Sequence, residues 1–230
     1  MIGAILRPGI ALAQRLADSD CEEFHDGLVA QPVNTVTSLA YVLPAVWFIW
    51  KRPRRRASMR LVVGFAVAVA FIGIGSVAFH GPQGWGARWL HDVPIVVAIA
   101  AIPAWNLARL GRIGYKGAFA GWSVVSMIAG LVAAVSPDAT LVLGVVLGVA
   151  AVVTEVMVRR SWRAWAPALI VGVVGTVLNL LGRTDAPLCE PDSVLQLHGV
   201  WHLLTAVAIF LWGRAAFAEQ TRSATSDAAT

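Results

Sequence analysis

The chain has 230 residues, of which 58% are hydrophobic and 13% charged, against roughly 25% charged in an ordinary soluble domain. A bilayer-spanning helix takes about 20 apolar residues, so this length accommodates roughly seven spans and excludes a large soluble catalytic domain. The net charge of +5 does not indicate a nucleic-acid partner, because the basic residues fall in short clusters between apolar runs, where they set topology.

Residues 1–28 form an extracytoplasmic amino-terminal segment. Within it, residues 1–17 are interrupted by Arg7 and Pro8 with no basic region ahead, which argues against a signal peptide and for a short helix on the outer surface. Seven apolar runs follow inside a domain at 29–215: residues 29–50, 61–79, 89–108, 118–135, 141–158, 165–181 and 195–212. The expected fold is all-α, an integral membrane protein of seven transmembrane helices. The connections after the first, third and fifth runs, with the tail, hold 14 of the 18 Lys and Arg. Positive excess marks the cytoplasmic side, so the amino terminus is expected outside and the carboxyl terminus inside. Residues 216–230 end in small polar side chains and are expected to be disordered in the cytoplasm. No internal repeat is visible, and the fourth, fifth and sixth runs offer little polar beyond Thr154, Thr176 and Asn179, which disfavours a transporter.

Four of the five histidines fall at the outer ends of runs: His80 closes the second, His91 opens the third, and His198 and His202 open the seventh. The last two are spaced i, i+4, which stacks both imidazoles on one helix face. Ser76 repeats that spacing one turn below His80, and Asp92 begins the third run at about the same depth. Polar groups at membrane depth are costly unless paired, liganded or hydrated, so such a layer marks a functional site. Three neutral imidazoles suit zinc and leave a fourth position for water. Zinc lowers the pKa of that water toward ~7, a carboxylate can take its proton, and a serine can hydrogen-bond a developing oxyanion. The implied reaction is hydrolysis. Each residue also has a plainer alternative: histidines bonded to loop carbonyls, Ser76 bonded to the carbonyl four residues back, and Asp92 capping a helix that begins at Val93. His25 and His91 have no assigned task.

The combination GSVAFH, Asp92 and PDSVLQLHGVWH, with the CEE run at Cys21 and the segment AQPVNTVTSLAYV, resembles the alkaline ceramidases over nearly the whole chain. These belong with the progestin and adipoQ receptors in a superfamily of seven-helix metal hydrolases. The resemblance implies that His80, His198 and His202 are zinc ligands, that Asp92 activates the bound water, and that Ser76 hydrogen-bonds beside it. It implies cleavage of the amide of ceramide into a sphingoid base and a fatty acid. Two departures stand out. Gln31 replaces a glutamate that helps hold calcium in animal members, which leaves Asp20, Glu22 and Glu23 as candidate calcium ligands or as a solvated acidic surface. In FHGPQGWGARWLHDVP the loop differs, so that alignment on the proline puts His91 where the family has its aspartate; Asp92 is retained as the better base.

Cys21 and Cys189 are an even pair on the oxidising face, which argues for a disulfide; the family is similar in pairing these positions. Asn34, Thr35, Thr37 and Ser38 make the first run polar near its outer end, either lining a cavity or serving as interhelical glue, the more usual role. Glu155 and Arg159 are spaced for an ion pair at the inner interface. The only lysines, Lys51 and Lys116, lie in connecting loops, so no retinal Schiff base can form in the seventh span. The excess of Arg over Lys, 16 to 2, and the richness in Ala suggest a bacterial member with its active site facing outward from the inner membrane. The leading expectation is a zinc amidase acting on ceramide or another N-acyl lipid. The alternative is a seven-helix, receptor-like lipid-binding protein with a structural zinc.

Overall fold

The computed structural model describes residues 18–52, 56–158 and 162–226. The helix expected within residues 1–17, and Arg159 with its ion pair to Glu155, lie outside the described residues. Among the described residues every regular element is helical. Seven helices are long and apolar enough to cross a membrane: Pro32–Trp50, Ser58–His80, Ala87–Arg109, Tyr115–Val135, Pro137–Met157, Trp162–Leu181 and Leu197–Phe217. Each coincides with one apolar run, and we number them as spans one to seven. The protein is a multi-pass membrane protein.

Span one is not a continuous α-helix. An α segment Pro32–Ser38 passes through a single 3-10 turn, Leu39–Tyr41, into a second α segment, Val42–Trp50. Pro44 explains the break, since it has no N–H to offer the carbonyl of Ala40, four residues back. The helix of span three starts at Ala87, earlier than Val93, with Gly86 as its N-cap in the left-handed region (φ +80°). That start removes the capping role considered for Asp92, which lies inside the helix. The helical backbone of span seven runs on to Ser226, through part of the stretch read from sequence as a disordered tail. Its Ala, Glu, Gln and Arg residues are good helix formers.

Span three is the hub, packing against spans two, four and five. Buried Ala98, Ala100, Ala101, Ala104 and Ala108 let its neighbours approach closely. Span seven packs against spans six and one, and span one against span two. An aromatic cluster of Phe48, Phe65, Trp105, Trp212 and Phe217 fills the bundle, with centroid separations near 5 Å and largely edge-to-face geometry. Spans four to six turn side chains such as Leu131, Val142 and Ile170 outward, as a lipid-facing surface requires. Spans five and six follow one another in sequence but are not a closely packed pair. The gap between them matters for the site.

The segment before span one is laid across the connection between spans six and seven. Cys21 and Cys189 form a disulfide, with Cα atoms 5.6 Å apart. Backbone bonds from Thr184 N to Ser19 O and from Glu23 N to Pro191 O reinforce it. The same segment reaches the end of span two, where Ala30 N donates to Gly81 O and Gln31 N to His80 O. One strap therefore joins the end of span two, which carries His80, to the connection leading into span seven, which carries His198 and His202.

Candidate metal centre

His80 is the last residue of its helix, and His198 and His202 lie on the first turns of span seven. All three side chains are buried. Their rings meet with centroid separations of 4.9 Å (His80 to His198), 5.3 Å (His80 to His202) and 4.6 Å (His198 to His202). One potential ligand atom from each lies within 4.8 Å of the other two. The i, i+4 spacing in span seven supplies two of these rings, and the close approach of the end of span two supplies the third.

The other ring nitrogens decide what these atoms can do. His80 Nδ1 is 2.7 Å from Gln31 Oε1, and the amide of Gln31 is turned that way because its Nε2 donates to the carbonyl of Glu22 at 3.0 Å. His198 Nδ1 is 2.9 Å from Asn179 Oδ1. His202 Nδ1 lies 3.2 Å from Thr37 Oγ1 and 3.4 Å from Ser38 Oγ. Those two hydroxyls already donate to backbone carbonyls within span one, so toward His202 they accept. Each imidazole thus carries its proton on Nδ1 and keeps a lone pair on Nε2. All three Nε2 atoms are buried without a hydrogen-bond partner. Buried unpartnered acceptors are costly one at a time, and three aimed together fit a cation. The donor set suits a borderline divalent metal, and the Nδ1 partners are the outer contacts that orient ligating histidines.

Around this centre the expected residues take different places. Ser76 is buried one turn below His80. Unlike Ser38, Ser123 and Ser126, it makes no bond to the carbonyl four residues back, which sets that alternative aside. Asp92 is held from two sides: its Oδ1 accepts from His91 Nδ1 at 2.7 Å, and its Oδ2 is 3.4 Å from Arg88 Nε. Arg88 in turn reaches Asp138 at 2.7 Å. His91, with no task in the sequence reading, lines the same cavity as Asp92 and His198.

The acidic run is divided among three tasks. Glu22 accepts from the backbone N–H groups of Val33 and Asn34, at 2.6 and 2.8 Å, and so caps the start of span one. Burial raises its carboxyl above the ordinary range, against the pull of those two bonds. Asp20 is buried with its Oδ1 3.5 Å from His198 Nδ1. Burial raises it too, while the Ser19 hydroxyl and the nearby His91 and Arg183 draw it down. Glu23 is exposed and raised by sharing a hydrogen bond with Asp192. Among the described residues, the three acids do not assemble into a metal-holding group as the histidines do. His25 is exposed in the strap.

Beside the histidines lies a cavity of about 740 Å³, whose polar wall includes Asp20, Arg88, His91, Asp92, Asn179 and His198. A second cavity of about 380 Å³ is walled mostly by apolar residues such as Ile72, Ile102, Leu169 and Ile209. Ile95, Ile99 and Trp201 line both, so the two adjoin. Both occupy the gap between spans three and five on one side and spans six and seven on the other.

Sequence reasoning found the three histidines but missed Gln31, Asn179 and Asp20 as their neighbours. Asn179 offered a signal, since it is an isolated amide near the site-side end of an otherwise apolar span. Gln31 drew notice only for what it replaces.

Fold and site together define a seven-span membrane protein with a buried three-histidine centre that could hold a metal ion, set beside paired polar and apolar cavities. The family model for ceramidase matches residues 20–227, nearly the whole chain, and the chain belongs to the ceramidase family. That membership supports a hydrolase of the ceramidase type and implies a lipid substrate. No curated protein matches the chain.

Proposed function

We propose that the protein is a zinc-dependent intramembrane amidase that cleaves the N-acyl bond of ceramide or a similar lipid and releases a fatty acid. The observation that carries this reading is the convergence of three buried, unpartnered Nε2 atoms beside a polar cavity that adjoins an apolar one. His80, His198 and His202 would hold the metal. Bound there, zinc supplies a Lewis acid for the amide carbonyl and a water of lowered pKa. The Ser76 hydroxyl, uncommitted to its own helix, donates to the oxygen on which negative charge develops. Asp92 belongs to the group that manages the proton of the attacking water. The apolar cavity keeps a hydrocarbon chain out of water while the amide sits in the polar one, and the loose packing of spans five and six gives lipid a lateral way in. The basic clusters at the opposite end of the bundle support a site facing away from the cytoplasm.

The test combines metal analysis of the purified protein with fatty-acid release from a panel of N-acyl lipids that includes ceramide, for the wild type and His202→Ala. The wild type should hold about one zinc per chain and release acid. His202→Ala should lose both. A wild type that holds zinc and frees no acid from any lipid overturns the amidase in favour of a receptor-like protein.

A further inference from the structure

Building on the amidase reading, we propose that His91 is the catalytic residue that takes the proton of the attacking water and delivers it to the departing amine, with Asp92 as its positioning residue. Residue type favours Asp92 for direct contact, while alignment on the proline puts His91 at the position of the family's aspartate. The geometry favours its neighbour.

His91 donates from Nδ1 to Asp92 Oδ1 at 2.7 Å, which fixes the tautomer and leaves Nε2 as an acceptor. That Nε2 is buried and has no partner. The ring stacks on Phe79, with centroids 4.6 Å apart and planes at 27°, and meets His80 edge-on at 5.9 Å. It therefore stands immediately outside the three-histidine centre, farther from His80 than the other two rings are, on the wall of the polar cavity. His91 is not among the side chains grouped as possible ligands. Asp92 is occupied on one oxygen by His91 and faces Arg88 with the other, and Arg88 is tied to Asp138 at the start of span five. The order Asp138, Arg88, Asp92, His91 runs from the cavity mouth inward. It repeats the logic by which a carboxylate holds an imidazole in one tautomer while the far nitrogen does the chemistry.

The step balances without another reactant. The water oxygen bonds to the carbonyl carbon and one of its protons moves to His91 Nε2. The C–N bond then breaks, that proton moves to the amine nitrogen, and the second water proton stays with the acid. His91 ends in its starting form.

The test compares wild type, His91→Ala, His91→Gln, Asp92→Asn and Asp92→Glu for metal per chain, for kcat and KM on an N-acyl lipid, and for the visible absorption band of cobalt-loaded protein. Both His91 variants should lose activity by roughly 10²–10⁴-fold with metal content unchanged. Asp92→Asn should lower kcat by roughly 10–100-fold at unchanged KM, and Asp92→Glu should recover part of the loss. The cobalt band should shift in the His91 variants, because their side chain no longer touches the solvent at the metal. His91→Gln keeps the bulk of the side chain and guards against misfolding of the alanine variant.

Wild-type rates in the His91 variants, or a larger loss in Asp92→Asn than in His91→Ala, would overturn the proposal in favour of direct action by Asp92. A fall in metal content would overturn it by making His91 a ligand. If the wild type hydrolyses nothing, the amidase reading fails on its own and the cobalt band still decides: a shift keeps His91 beside the metal, and an unchanged band removes it.

Discussion

Two polar clusters are buried in this bundle, and their bonding differs in kind. Toward one end, Glu155 Oε2 accepts from Asn106 Nδ2 at 2.7 Å and from Trp212 Nε1 at 3.2 Å, so one carboxylate knits spans five, three and seven together. At the other end, three imidazoles are held by their Nδ1 atoms and present Nε2 atoms that nothing satisfies. A cluster in which one carboxylate oxygen collects donors from two other spans is structural, even with Asn106 Oδ1 left unpartnered beside it. A cluster that orients its members and leaves their lone pairs free is built for something else. Composition does not separate the two, because both are ionisable groups at membrane depth.

After the ligand and His91 variants, Ser76→Ala offers the largest break in this contrast. If the hydroxyl stabilises the developing oxyanion, its loss should cut kcat by roughly 10²–10³-fold while zinc per chain stays at the wild-type value. Equal rates for wild type and variant would return Ser76 to a packing role. Asn179→Ala comes next. It removes the acceptor for His198 Nδ1, and competition with a chelator should report zinc affinity lowered by roughly 10–100-fold. An unchanged affinity would mean that Asp20, 3.5 Å from the same nitrogen, suffices to orient the ring.

The seven spans were legible because each needs only a long apolar run, and the meeting of the three histidines because helical spacing and the ends of runs place them at one depth. The even cysteine pair was legible from count and predicted side. What escaped were contacts between residues far apart in sequence. Gln31 reaches His80 across 49 positions and Asn179 reaches His198 across 19, pairings fixed only once the strap and span six are in place. Thr37 and Ser38 were read as interhelical glue, and their hydroxyls indeed meet another span, yet the partner is His202 itself. The relation of His91 to Asp92 escaped for a different reason. Adjacent helical residues point about 100° apart, which gives no hint that one side chain bends back to hold the other.

Glu155 sharpens the comparison with the smallest expected effect on chemistry. The i, i+4 pair with Arg159 at the interface needed only local spacing, whereas the carboxylate is buried and accepts from two other spans. Glu155→Ala leaves the Asn106 amide and the Trp212 indole N–H without that acceptor, at about 1–3 kcal/mol for each buried donor. Thermal unfolding in detergent should therefore move to lower temperature, and Glu155→Gln, which keeps a carbonyl oxygen, should recover part of the loss. Zinc content and kcat, measured below the unfolding transition, should match the wild type. A loss of metal in Glu155→Ala would join the two clusters through span seven, since Trp212 and His202 share that helix, and would remove the distinction between a polar group that holds the bundle and one that serves its reaction.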